Sequence, residues 1–118
     1  MSLILYEVRD RVAILTLNRP ETYNAQSPAL LAELDTAFDK ANGDDDVRVI
    51  VLNASGKHFS SGHDISEEVV KHEPWLSMFD DVADNGLMQM YKWESSHFLH
   101  YATKWRNLPK PTLSLIHI

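Results

Sequence analysis

Val47-Arg48-Val49-Ile50-Val51-Leu52 is followed directly by the loop Asn53 to Asp64, whose informative part is Gly56-Lys57-His58-Phe59-Ser60-Ser61-Gly62-His63-Asp64-Ile65. The first run is nearly all apolar, with Arg48 its single interruption. It predicts a strand buried on both faces, as in a parallel sheet covered by helices. The second stretch is polar and contains two glycines. A glycine-containing turn before a helix presents backbone N–H groups, and the helix dipole favours negative charge there. In an enzyme such groups can hold a developing oxyanion. Taken alone the pattern is common, because many loops between strand and helix contain glycine and only turn the chain. Asp64 and Glu67 have the spacing of a capping box, which predicts a short helix starting at Asp64 and finished by Pro74.

Upstream, Ile4 to Val8 and Val12 to Leu17 are rich in β-branched and apolar residues and flank the charged turn Arg9-Asp10-Arg11, which predicts an antiparallel hairpin. Asn18-Arg19-Pro20 ends the second strand, since proline has no N–H for a ladder. After a loop from Glu21 to Gln26, Ser27-Pro28 supplies an N-cap and a first helical residue. Leu30, Leu31, Leu34, Ala37, Phe38 and Ala41 then recur at helical spacing. Asn42-Gly43 predicts the end of this helix with glycine as a left-handed cap, and Asp44-Asp45-Asp46 a solvated turn. A helix joining two strands in this way is the crossover unit of α/β proteins.

Downstream, Trp75 to Asn107 reads as helical, with Leu87, Met90, Tyr91, Phe98, Tyr101, Ala102 and Trp105 on one stripe and a break near Asp84 to Gly86. Leu108-Pro109-Lys110-Pro111 ends helix structure. Thr112 to Ile118 reads as the opening of another buried strand.

The chain has 118 residues, which allows one domain at most or part of one. Its 44% hydrophobic and 24% charged residues fall in the ordinary globular range, and exclude a disordered chain. With no cysteine, a disulfide scaffold, a zinc-thiolate site and a cysteine nucleophile are excluded. The net charge of −6, from 11 basic and 17 acidic residues, argues against a nucleic-acid partner. It leaves room for a phosphate-bearing ligand held by local backbone donors. No apolar run approaches the roughly 20 residues of a membrane span. The start of the chain has no signal-peptide core, which leaves cytoplasm or an organelle matrix as the compartment. No metal site is expected. His97 and His100 share a helix face without a third ligand, and His72-Glu73-Pro74 is not a zinc-helix motif. The acidic groups Glu67-Glu68 and Asp80-Asp81 with Asp84 read as solvated surface, and Trp75, Trp93 and Trp105 as core or pocket wall.

Five pieces together are more specific than any one: Asn18-Arg19-Pro20-Glu21, Asn24-Ala25, Asp45 to Leu52, Phe59 to Ile65, and Leu108-Pro109-Lys110-Pro111-Thr112. In this order and spacing, over residues 3 to 112, they resemble the enoyl-CoA hydratase/isomerase (crotonase) family. The resemblance implies an α/β fold, an incomplete crotonase-like spiral of ββα units. Residues 1–112 would be the N-terminal part of such a domain, about two-fifths of a family member. It implies an acyl-CoA thioester as ligand, no separate cofactor because coenzyme A is part of the substrate, and a homotrimeric or homohexameric full-length parent. Two backbone N–H groups would bind the thioester oxygen and stabilise an enolate. The one visible here belongs to His63, whose imidazole reads as a pocket wall rather than an acid or base. Asn24, Ala25 and Gln26 match the loop that contacts the nucleotide end of coenzyme A. Ser61, Gly62, His63, Asp64 and Ile65 match the segment lining pantetheine and thioester. Tyr23 stands where related sequences often carry a basic residue, which argues against a charge contact there and leaves a stacking contact with adenine open.

The resemblance implies hydration of a 2-enoyl-CoA. Isomerase, thioester hydrolase, dehalogenase and decarboxylase members share everything visible here, as would a non-catalytic acyl-CoA binder. In the family the second oxyanion donor and the acid–base carboxylates lie beyond the Lys-Pro-Thr strand, so the 118-residue chain itself is expected to be inactive. Leu113-Ser114-Leu115-Ile116-His117-Ile118 has a separate reading. The codons CTG TCT CTT ATA CAC ATC encode it and spell the transposase recognition end used in sequencing libraries. Residues 113–118 are therefore expected to be adapter read-through, a non-native tail.

Overall fold

The structure is a computed structural model and describes residues 2–66, 91 and 94–115. The chain forms two compact units, Met1–Asp64 with Leu108–Ile118, and Ile65–Asn107.

The first unit is a four-stranded sheet in the order β1-β2-β3-β4. Strands β1 (Ile4–Arg9) and β2 (Val12–Leu17) pair antiparallel, from Ile4 opposite Leu17 to Arg9 opposite Val12. The hairpin turn is narrower than the charged tripeptide. Only Asp10 and Arg11 form it, both left-handed at φ 49° and 66°. Two successive positive φ values are what the right-handed twist of the flanking strands demands of a two-residue turn. Strand β3 (Val49–Ala54) lies parallel to β2, with Val12 opposite Val49 and Leu17 opposite Ala54. The connection between them carries helix α1 (Pro28–Gly43). Strand β4 (Thr112–Ser114) is parallel to β3, with Ile50 opposite Thr112.

Helix α1 begins as its sequence dictates. Ser27 Oγ accepts the Leu30 N–H at 3.2 Å, and Pro28 takes a position whose missing N–H has no intrahelical partner to lose. Its buried residues are Leu30, Leu31, Leu34, Ala37, Phe38 and Ala41, the six apolar positions of the periodicity. The helix packs on β1 and β2. Alternate residues of β2, Ala13, Leu15 and Leu17, are buried, joined by Ile50 and Ala54 of β3 and by Val47. Each large aliphatic side chain so buried contributes about 1.5–3 kcal/mol.

Several local expectations give way to longer-range contacts. Gly43 ends the helix without a left-handed conformation, and the cap residue is Asp44 at φ −89°. The helix terminus is satisfied instead by Lys110, whose Nζ donates to the carbonyls of Ala41 at 2.8 Å and Asp44 at 2.7 Å. A cation there also complements the negative end of the helix dipole. In β3 only Ile50 and Ala54 are buried; Val49, Val51, Leu52 and Asn53 are half-buried, so the strand is not closed on both faces. Strand β4 is exposed throughout rather than buried, because it is the last strand of the sheet. Residues 64–66 are not helical, and the Asp64 carboxylate bonds Arg19. The rest of that predicted helix, 67–74, lies outside the described residues.

In the second unit, a π-helical turn (Ser95–Leu99) runs into helix α2 (His100–Arg106). Tyr101 and Trp105, one turn apart, stack at 5.2 Å and 6°, and both are half-buried. Tyr91 and Ala102 are exposed, which removes them from the predicted apolar stripe. Trp75, Leu87, Met90, Trp93 and the break at 84–86 lie outside the described residues, as do 116–118.

Candidate functional site

The site grows from the end of β2. Pro20–Thr22 forms a single 3-10 turn, after which Tyr23 and Asn24 are both left-handed at φ 54°. Asparagine tolerates that conformation better than most residues. Asn24 is fully buried, and its amide bonds three backbone groups. Oδ1 accepts the Arg19 N–H at 2.8 Å; Nδ2 donates to the carbonyls of Ser55 at 2.9 Å and His58 at 3.0 Å. The side chain thus ties the loop after β2 to the loop after β3. Ser60 reinforces the junction: its Oγ donates to the Asn24 carbonyl at 2.7 Å and accepts from the Gly62 N–H at 3.1 Å. Gly56, at φ 84°, is required twice over, because a Cβ there would also come 2.9 Å from Pro20 Cβ.

Across this junction Gln26 and His63 form an isolated parallel bridge. The Gln26 N–H donates to the Gly62 carbonyl at 2.7 Å, and the Asp64 N–H to the Gln26 carbonyl at 3.0 Å. The Gly62 carbonyl and the His63 N–H belong to one planar trans peptide and point in opposite directions. Fixing the carbonyl toward Gln26 therefore aims the His63 N–H away from the bridge. Arg19 spans the same place. Its Nη1 reaches Asp64 Oδ2 at 2.5 Å and the Ala25 carbonyl at 3.1 Å. The side chains of this ion pair are 18% and 5% exposed.

The predicted residues come together with one exception. Asn24, Ala25, Gln26, Ser61, Gly62, His63 and Asp64 form the two sides of the bridge and its approaches. Asn24 and Ala25 are buried, so Asn24 acts through the loops it joins; Gln26 and Gly62 are half-buried, and Ser61 and His63 are exposed. Ile65 is exposed and belongs to the other unit. Beside the bridge lie two neighbouring depressions. One, of about 220 Å³, is lined by Pro20, Tyr23, Ser55, Gly56, Lys57 and His58. The other, of about 240 Å³, is lined by Tyr23, His58, Ser60 and Ser61. Tyr23 and His58 border both and meet edge to face at 5.1 Å.

Sequence reasoning assigned no role to Arg19, Ser60 or His58. His58 and Ser60 stand in the quoted stretch Gly56 to Ile65, but nothing local gives either a role. Arg19 stands in the quoted Asn-Arg-Pro stretch, but its partner is 45 residues away. Among the described residues no three His, Cys, Asp or Glu side chains gather as a metal site, and no helix is long and apolar enough to cross a membrane.

Comparison with known proteins agrees with this architecture. The family model for enoyl-CoA hydratase/isomerase matches residues 7–114. EchA13 of Mycobacterium tuberculosis, a protein named for enoyl-CoA hydratase, is 35% identical over 97% of this chain and 39% of its own length. The trans-2-decenoyl-[acyl-carrier-protein] isomerase of Streptococcus mutans is 47% identical over 54% of this chain and 24% of its own. An enoyl-CoA hydratase crystal structure from Mycobacterium smegmatis superposes with a TM-score of 0.79 at 31% identity, over 99% of this chain and 40% of that one. The chain thus spans about two-fifths of EchA13 and of that hydratase structure. Sheet order, bridge and sequence similarity lead to one assignment: the chain belongs to the enoyl-CoA hydratase/isomerase family.

Proposed function

We propose that this chain is the N-terminal part of an acyl-CoA enzyme that hydrates a 2-enoyl-CoA, with the His63 N–H as one of two donors to the thioester oxygen. The observation that carries the reading is the Gln26–His63 bridge, which turns the backbone N–H of an exposed residue away from its partner strand. A donor fixed before the reaction costs no reorganisation as negative charge develops, so it favours the enolate over the ground-state carbonyl. Because the donor is main chain, the imidazole of His63 need only line the pocket. The depressions around Tyr23 and His58 suit the nucleotide end of the ligand, with Tyr23 offering a ring to adenine and Lys57 a charge to phosphate. The full-length parent supplies the second donor and the carboxylates that move protons, and assembles as a trimer or a pair of trimers.

A second reading has its own support. The Streptococcus mutans isomerase shares 47% identity over 64 residues, more than EchA13 shares over its longer match. Movement of the double bond also places negative charge on the thioester oxygen, but through a conjugated dienolate formed by loss of a C4 proton and reprotonated at C2, with no water added. The product separates the readings. The full-length parent given crotonyl-CoA should bleach the enoyl-thioester absorbance and yield 3-hydroxyacyl-CoA. A 3-enoyl product from a longer 2-enoyl-CoA would favour isomerisation, free coenzyme A a hydrolase, and binding without turnover an acyl-CoA binder. The 118-residue chain alone should give none of these products.

We also propose that residues 1–112 are native and 113–118 are read-through. Leu113 and Ser114 pair with β3 through the backbone, which accepts almost any extended sequence. Reading the source gene past the Thr112 codon tests this. A different continuation supports it; the same hexapeptide in genomic DNA refutes it.

A further inference from the structure

We propose that Arg19 is a positioning residue for the His63 N–H, acting through Asp64 and Ala25. The inference rests on the acyl-thioester reading only for what that N–H would bind. The bridge it serves is isolated, with no further ladder on either side among the described residues. Two strand segments paired over so short a length are marginal in water. The peptide that carries the His63 N–H is preceded by Gly62, at φ 98° with nothing within 4 Å of an added Cβ. Glycine there leaves the direction of the following peptide unfixed by local sterics.

Arg19 supplies what the bridge lacks. One guanidinium nitrogen bonds the carbonyl of the residue before Gln26 and the carboxylate of the residue after His63, so it closes the bridge across both strands. The arginine is itself held in place by Asn24, which accepts the Arg19 N–H through Oδ1 and donates its own N–H to the Arg19 carbonyl at 2.9 Å. A buried ion pair adds little net stability over a well-packed apolar pair, because both charges must be desolvated. What this pair provides is direction: it fixes the Gly62–Asp64 segment, and so the plane of the 62–63 peptide, against the rigid end of β2.

The test uses the full-length parent and needs no ligand. Amide hydrogen exchange and the His63 amide resonance are followed by NMR in R19M, D64N, R19M/D64N and R19K. The double variant removes both charges of the pair and guards against simple unfolding. Because a single nitrogen makes both contacts, lysine should substitute for arginine. The expected result is at least a tenfold loss of protection at the Gln26 and Asp64 amides and a displaced His63 resonance in the first three variants. Leu15 in β2 should keep its protection, and R19K should restore the native pattern. Unchanged protection at Gln26 and Asp64 in R19M/D64N would overturn the proposal. So would a parallel loss at Leu15, which would make the pair merely structural, or failure of R19K to restore. None of these outcomes bears on whether the protein binds an acyl-CoA, so the two readings fail separately.

Discussion

Leu30 and Asn24 are both fully buried and lie six residues apart, yet different forces bury them. Leu30 sits with Leu34 and Phe38 on the face of α1 that covers the sheet, where burial of apolar area is non-directional and approximate fit suffices. Asn24 sits where two loops meet, and every polar atom of its amide bonds a particular backbone group. Such a network is stabilising only when complete, since a buried donor or acceptor left unpaired carries its full desolvation cost. The core should therefore tolerate change of shape and punish loss of volume, whereas the loop junction should tolerate neither change of polarity nor change of geometry.

Substitution can break that contrast, and the largest effect is expected in the core. F38A should destabilise the chain by about 3–5 kcal/mol in chemical denaturation, while F38L should cost less than about 1.5 kcal/mol. At the junction N24A should cost about 3 kcal/mol, from the stranded Arg19 N–H and the Ser55 and His58 carbonyls. N24L, which restores volume without polarity, should recover none of it. If N24L were as mild as F38L, the distinction between the two regions would be lost. G56A should cost about 1–2 kcal/mol, combining a left-handed backbone with contact against Pro20.

The smallest effect concerns Tyr6 at the margin of the core. Burial, and then the negative charge of Asp44, push its phenol above the ordinary tyrosine range. Its hydroxyl is buried with no hydrogen-bond partner among the described residues, and Lys40 Nζ lies 4.3 Å from the ring centre. A folded-state value raised above the unfolded one of 10.0 leaves stability independent of this group at lower pH. Stability is then lost as pH rises from about 10 through the folded value. Y6F should abolish that alkaline decline and cost nothing near neutrality. A decline unchanged in Y6F would assign it to another group.

The same contrast governs what could be read from the sequence. The start and the buried face of helix α1 were legible, because Ser27-Pro28 and the six apolar positions are local signals. The hairpin was legible from two β-rich runs and a charged turn. The predicted glycine cap at Gly43 fails because Lys110, 69 residues beyond Ala41, occupies the helix end. The Asp64 carboxylate, read locally as a helix cap, bonds Arg19, 45 residues upstream, and no local pattern shows that. The polar junction has no periodicity, and its partners are 31 to 45 residues apart. Its residues could be quoted as a family resemblance, but not given their roles. That Gln26 and His63 bridge the two quoted segments, and that Asn24 pins the loops together, follows from contacts far apart in the chain and has no local signal.

The proposed donor is a backbone N–H, so the decisive measurement removes that group. In the full-length parent, kcat for crotonyl-CoA hydration should be compared between H63P, which lacks the N–H, and H63A, which lacks only the imidazole. The bridge does not use the His63 N–H, and Gly62 places no side chain in the path of a following proline. H63P should lower kcat by about 10²–10³-fold, the usual cost of losing one oxyanion donor, and H63A by less than about tenfold. Equal losses in the two variants, or a larger loss in H63A, would contradict the account and make the imidazole the working group.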